Sequence, residues 1–162
     1  MEKITDTHVF FWGSEFSNWY DCQVTYNGMH FFNSEQAFMW KKAVFFEDHE
    51  TAVKIAHTAS PSQAKRYGRI VKNFDAQKWS EVSYQVMVDV NFAKYQQNPI
   101  LKEVLLSTGD KIIVEASPYD KIWGIGLHWT DERVLDESKW DGLNLLGKAL
   151  MEVREAFKPK KS

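Results

Sequence analysis

The sequence predicts a mainly α-helical domain, α+β by a looser definition, with a small N-terminal β-hairpin and a few short strands. Two observations carry that prediction. Apolar residues recur at helical spacing through several stretches, most fully between Lys78 and Gln97, and helix-start signals such as Ser60-Pro61 and Asn98-Pro99 punctuate the chain. By contrast, short β-like runs flank an Asn27-Gly28 pair, a dipeptide suited to the positive φ of a tight hairpin turn. With 162 residues, 44% of them hydrophobic, the chain is large enough to bury about two-thirds of its unfolded surface. No linker, repeat or low-complexity tract divides it, so residues 1–162 read as one domain ending in a solvated tail, Lys158–Ser162.

Val9–Trp12 reads as a short strand. Asp21–Phe32 reads as the hairpin, Gln23–Tyr26 going out and Met29–Phe32 returning. The returning arm leads into a helix that Asn33 or Ser34 can cap, with Ala37, Phe38, Trp40, Val44 and Phe45 as apolar positions. Asp48–Thr58 is a second helix, supported by Glu50 and Lys54 at i,i+4 spacing, and Pro61 opens a short third one bearing Lys65, Arg66 and Arg69. Asn73-Phe74-Asp75 breaks that pattern and caps the long helix from about Lys78. That helix shows two apolar stripes, Trp79/Val82/Val86/Val90/Ala93 and Tyr84/Val88/Phe92/Tyr95, which predict a central helix in contact on two sides. A helix from Pro99 to Leu106 closes at Gly109, and Lys111–Val114 is a strand. The run Ala116–Leu127, rich in Gly, Asp and aromatics, fits no regular element. A polar loop follows, and a last helix carries Leu146, Leu150, Val153 and Phe157 on one face.

Charge and composition exclude several function classes. A net charge of −2 and a pI near 6.2 create no field that gathers nucleic acid or an anionic membrane, so a polymer partner must be held by local groups. The single cysteine, Cys22, allows no internal disulfide and, in its strand-like setting, reads as a small buried apolar residue. No signal-peptide core or membrane span appears, and a cytoplasmic location is expected. The five histidines show no metal-ligand spacing, and no Walker loop, dinucleotide fingerprint or nucleophile elbow occurs, so neither metal nor cofactor is expected. What remains is carboxylates, basic groups and many aromatics, 15% of the chain with seven Trp. Aromatics inside helices read as core, whereas those in Gly- and Asn-containing loops read equally as core or as a platform for a stacked base. Carboxylates beside such a platform suit glycosidic cleavage.

Glu35 stands out in the run Asn33-Ser34-Glu35-Gln36-Ala37-Phe38. It falls in the first helical turn, where the helix dipole favours an ionised carboxylate. From local sequence alone it reads as a capping-type glutamate. Lys42 lies two turns further along nearly the same face, as a solvated lysine or as the partner of a phosphate or carboxylate.

Phe16-Ser17-Asn18-Trp19, the Asn33–Phe38 run, Gly68-Arg69, Trp79 with Gln85-Val86-Met87, Tyr119–Leu127 and Asn144-Leu145-Leu146-Gly147 occur in the order of the motifs of the NADAR superfamily of YbiA-like proteins, which this chain resembles over nearly its whole length. The resemblance implies a compact, mostly helical domain and an N-glycosidase. The substrate it implies is a small nucleotide-like molecule, a riboflavin-pathway phosphoribosylamino-pyrimidine or an ADP-ribose conjugate such as ADP-ribosylated nucleic acid. It assigns Glu35 and Asp120 as the catalytic carboxylates, Trp79 and Trp123 to stacking, Lys42 and Arg69 to phosphate, and Asn18 and Asn144 to hydroxyls, with Trp12 and Gly124 completing the binding set. Riboflavin-pathway members tend to read W-G-D-G where this chain has Trp123-Gly124-Ile125-Gly126, a departure that bears on substrate more than on reaction type. A non-catalytic module that binds ADP-ribose or a nucleotide through the same groups is the alternative.

Overall fold

The computed structural model describes residues 2–159. Within them the chain forms six α-helices, five short strands and two turns of 3-10 helix, a mainly α fold as expected. It divides into two compact units, residues 18–99 and residues 1–17 together with 100–162.

The unit of residues 18–99 holds the hairpin and four helices. Strands β3 (Val24–Tyr26) and β4 (Met29–Phe31) pair antiparallel with Val24 opposite Phe31, and Asn27 and Gly28, at φ 50° and 76°, make the turn that the sequence predicts. Cys22 lies ahead of β3 rather than in it. It is half-buried, and its N–H donates to the Phe32 carbonyl at 2.9 Å. Helix α1 (Ser34–Phe45) is followed by α2 (His49–Ala56), α3 (Pro61–Gly68) and α4 (Ala76–Gln97). Their starts are set by side chains. Asn33, Asp48, Ser60 and Asp75 each accept a backbone N–H of the first turn they precede.

Helix α4 packs against α1 and β3, and its buried line differs in part from the expected apolar stripes. Trp79, Ser83, Val86, Met87, Val88, Val90, Asn91, Lys94 and Tyr95 are buried, whereas Val82, Ala93, Tyr84 and Phe92 are only partly so. Three polar residues therefore lie on the inner face of the helix. Lys94 stands against aromatic rings there, its Nζ 5.0 Å from the Tyr95 ring centre and 5.9 Å from that of Tyr20.

In the other unit β1 (Glu2–Ile4), β2 (His8–Phe11) and β5 (Ile112–Glu115) form a sheet in that order, β1 antiparallel and β5 parallel to β2. Central β2 buries Val9, Phe10 and Phe11 in succession, as a strand covered on both faces does. Edge strand β1 is not among the expected elements, because Glu2-Lys3-Ile4 is mostly exposed and carries almost no apolar signal. Phe10, Val114, Ala116, Ile125, Leu127 and Val134 make a buried cluster beneath the irregular loop. Helices α5 (Pro99–Ser107) and α6 (Leu145–Phe157) complete the unit, and α6 packs on β5. The expected tail at Lys158–Ser162 begins tied down, with Lys158 Nζ 2.7 Å from Asp110 and 3.4 Å from Glu155; residues 160–162 lie outside the described residues.

Candidate active site

The start of α1 is over-determined by its neighbours. Asn33 Oδ1 accepts the Gln36 N–H at 2.8 Å while its Nδ2 donates to the Ala59 carbonyl at 3.1 Å. Gln36, fully buried, reaches back to accept the Phe32 N–H at 2.8 Å and donates to the Ile55 carbonyl at 3.0 Å. Asn33 caps the helix and Gln36 braces it against the chain on either side, while Glu35 is the acidic residue of the first turn. Glu35 itself is only 7% exposed. Its N–H donates to the Asn18 carbonyl at 3.0 Å, so the chain before the hairpin sets where this residue sits.

Lys42 lies on the same helix, half-buried, with Nζ 4.5 Å from the centre of the Phe74 ring. Burial pushes its pKa below the ordinary lysine value, and the negative charge of Glu35 pulls it back up. The expectation that Glu35 and Lys42 share a face therefore has an electrostatic counterpart. Asn18, 7% exposed, donates from Nδ2 to the Met87 sulfur at 3.3 Å and accepts from Asn91 Nδ2 at 3.4 Å.

Trp79 is 9% exposed. Its ring is hemmed by Phe38, Phe45 and Phe46 at centroid distances of 5.3, 5.8 and 6.2 Å. Three rings carried by α1 and its C-cap thus pack around it. Arg69 is exposed just past α3, its N–H closing that helix on Lys65 and Arg66. Among the described residues no hydrogen bond or ion pair joins its guanidinium to Glu35, Lys42 or Trp79.

The other expected residues belong to the second unit. Asp120 Oδ1 accepts the N–H groups of Ile122 and Trp123 at 2.9 and 2.8 Å, a local turn that fixes the half-buried Trp123. The loop then runs against the start of α6. The Leu143, Asn144, Leu145 and Leu146 N–H groups donate to the carbonyls of Lys121, Gly124, Ile122 and Trp123 at 2.9, 3.1, 3.2 and 3.0 Å. Loop carbonyls therefore do here what a capping side chain does elsewhere. Gly124 is required by closeness, since an added Cβ would stand 2.9 Å from the carbonyl oxygens of Glu115 and Asp120.

Asn144, buried and left-handed at φ 53°, directs its amide to β5, accepting the Glu115 N–H and donating to the Ile113 carbonyl, both at 3.0 Å. Trp12, 38% exposed, meets Tyr119 and His128 at centroid distances of 5.7 and 5.4 Å. Phe74 under Lys42, the two rings beside Trp12 and the bonds of Gln36 beside the expected Asn33 cap are the neighbours that sequence reasoning missed. Only the brace left a trace, as polar residues opening an apolar helix. Among the described residues no group of three or more His, Cys, Asp or Glu side chains can hold a metal ion, and no helix is long and apolar enough to cross a membrane.

A family model described as the NADAR domain matches residues 10–158. The chain belongs to the NADAR family. An N-glycosidase of Acanthamoeba polyphaga mimivirus is 40% identical over 164 residues, covering 93% of this NADAR chain and 96% of that protein. A riboflavin biosynthesis protein of Vibrio vulnificus is 30% identical over 139 residues, which take in 86% of this chain and 34% of the longer relative. Among solved structures, the NMR structure of Escherichia coli YbiA superimposes with a TM-score of 0.76 at 30% identity, covering 95% of this chain and 86% of that one. The NADAR resemblance carried by the ordered motifs and the YbiA-like helical fold it implied are both borne out.

Proposed function

We propose that this NADAR protein, a hydrolase of N-glycosyl bonds like the relatives that bear that name, cleaves the bond between a ribose phosphate or ADP-ribose and a nitrogenous base. The observation that carries the reading is the buried carboxylate of Glu35 on a brace of hydrogen bonds, with a half-buried lysine on the same helix feeling its charge. As the C–N bond breaks, the departing base takes the electron pair and the sugar becomes an oxocarbenium-like cation. A fixed negative charge lowers the energy of that cation most where water is scarce. Water then adds its oxygen to the anomeric carbon and gives up a proton, and the base leaves protonated.

In this reading Glu35 faces the cation or orients the water, and Asp120 is the second carboxylate. In the unit of residues 18–99, Trp79 meets the base or ribose and Lys42 and Arg69 meet phosphate, while Asn18, its amide engaged by Met87 and Asn91, gives up the expected hydroxyl role; in the other unit Trp12 and Trp123 offer aromatic surface and Gly124 lets the chain pass close. Asn144, its amide engaged by β5, serves by holding the Trp123 loop. The riboflavin biosynthesis name of the Vibrio relative supports a phosphoribosylamino-pyrimidine as the first substrate to test.

Incubation with that pyrimidine, NAD, ADP-ribose and ADP-ribosylated DNA, followed by chromatography for free base, tests the proposal. Glu35→Gln keeps shape and removes charge, so turnover falls about a hundredfold or more, the scale of losing one electrostatic stabiliser. Near wild-type release of base by that variant overturns the assignment of Glu35. Binding without any release by the wild-type chain overturns catalysis in favour of a binding module.

A further inference from the structure

We propose that Asn91, in the middle of α4, is a positioning residue for Glu35 that acts through Asn18. The inference rests on the reading of Glu35 as the catalytic carboxylate. Asn91 is 0% exposed, and its Nδ2 donates to Asn18 Oδ1 at 3.4 Å and to the Met87 carbonyl at 3.0 Å. Asn18 in turn donates to the Met87 sulfur at 3.3 Å, so its side chain is gripped at both ends by one turn of α4. The backbone carbonyl of this same residue receives the Glu35 N–H.

Asn18 lies in an irregular segment with no ladder of its own to fix it. Its side-chain bonds to α4 are what hold its carbonyl in place. The chain of contacts therefore runs from the rigid interior of a 22-residue helix, through Asn18, to the backbone of the carboxylate-bearing residue.

Chemistry argues that the Asn91 amide is present for this contact. Met87 C=O already accepts the Asn91 backbone N–H as part of the helical ladder, so the side-chain bond to it is redundant. Asn91 Oδ1 is buried and meets no donor among the described residues, an unfavourable arrangement that a leucine of similar volume avoids. What the leucine lacks is the donor toward Asn18. Sulfur is a weak acceptor, so without Asn91 the remaining grip on Asn18 is slight. Displacement of a reacting group by about 1 Å costs on the order of a hundredfold in rate.

Two measurements test the proposal. The first needs no substrate: amide hydrogen exchange of the Glu35 N–H in Asn91→Ala and Asn91→Asp. Loss of the anchor speeds exchange at Glu35 about tenfold while Gln36, bound to Asn33, keeps its protection. Unchanged protection at Glu35 in the folded variants overturns the positioning route.

The second is turnover of the phosphoribosylamino-pyrimidine or of ADP-ribosylated DNA, whichever the wild-type chain cleaves. Asn91→Ala lowers kcat about tenfold or more with KM within about twofold, and adds no further loss in the Glu35→Gln background, because it acts through that carboxylate. Asn91→Asp recovers activity toward acid pH, where a protonated carboxyl can still donate to Asn18, and loses it as the pH rises. An equal fractional loss in both backgrounds makes Asn91 merely structural and overturns the inference. Wild-type kcat in Asn91→Ala, with Glu35→Gln inactive, overturns it while leaving Glu35 in place. A fully active Glu35→Gln removes the reading beneath it.

Discussion

Replacing Asn144 is the sharpest test of how the Trp123 loop is held. Its amide satisfies the Glu115 N–H and the Ile113 carbonyl of β5 at 3.0 Å each, and its backbone is left-handed at φ 53°. Asn144→Gly keeps that backbone conformation available and removes both bonds. A buried polar group left without its partner costs about 1–3 kcal/mol. The half-buried Glu115 N–H belongs at the low end of that range, so the variant loses about 2–5 kcal/mol. For a chain of this length each kcal/mol lowers Tm by about 2–4 °C, which gives a fall of about 4–20 °C.

Asn144→Ala loses the same bonds and must also hold alanine at positive φ, for roughly 1 kcal/mol more. Asn144→Asp retains the acceptor for Glu115 but turns a buried carboxylate oxygen toward the Ile113 carbonyl, so at pH 7 it is less stable than the glycine variant. Thermal melts followed by urea titration of all three, with Trp fluorescence reporting the loop, measure the series. A glycine variant within about 0.5 kcal/mol of wild type, the range of an ordinary surface change, refutes the bridging argument. An alanine variant no worse than glycine refutes the strain argument.

The two units and the α1 site supply three further predictions. Asp48 caps α2, accepting the Thr51 N–H on Oδ1 at 3.1 Å and the Lys72 N–H on Oδ2 at 2.9 Å, which lowers its pKa from the ordinary 3.8. A depressed carboxylate stabilises fully above its unfolded value and loses that contribution as the pH falls through the folded one. Asp48→Asn still caps α2 but turns an NH2 group toward the Lys72 N–H, so it is about 1–2 kcal/mol less stable at pH 7, and melts from pH 7 down to 2 show the gap to wild type closing only below 3.8.

Gly147→Ala would drive a methyl group into the Ile113 carbonyl and the Asn144 amide, which cannot yield, whereas at Gly68 the obstacle is the pliable Met39 side chain. The first costs about 1–3 kcal/mol or more and the second under about 1 kcal/mol in chemical denaturation. Lys42 has a lowered pKa because burial outweighs the opposing charge of Glu35. On the proposed reading, in which Lys42 meets phosphate, the affinity for ADP-ribose measured by calorimetry declines with rising pH before an ordinary lysine would lose its charge, and Glu35→Gln moves that decline to lower pH; an unmoved midpoint contradicts the coupling.

Much of the fold was legible because the signals were local. Asn27-Gly28, Ser60-Pro61 and the run opening at Asn33 act within a turn or two, and the structure places their elements within a residue or two of expectation. Strand β1 was not legible, since its pairing with β2 is a tertiary fact and its residues are mostly exposed. The inner face of α4 was misjudged for a related reason. Apolar periodicity finds a buried line only where that line is apolar, and here Ser83, Asn91 and Lys94 interrupt it. At the candidate site, residue types were readable and their employment was not. The sequence distinguishes a glutamine from a glutamate but does not show that Gln36 bonds to the chain on either side of it, at Phe32 and Ile55.

This division of labour bears on how the motifs should be understood. In the Asn33–Phe38 run, Asn33 and Gln36 bind backbone, and Ala37 and Phe38 are buried in the interior. In the Tyr119–Leu127 run, Asp120 ties two N–H groups, Gly124 yields space, and Ile125 and Leu127 enter the core. Most letters of a motif that marks the family thus specify scaffold, and a mutation at one of them lowers activity by moving its neighbours. Loss of activity on substitution is therefore weak evidence of a chemical role in this protein. The discriminating measurement is whether an effect survives in the Glu35→Gln background, because a scaffold residue acting through that carboxylate has nothing left to position once its charge is gone.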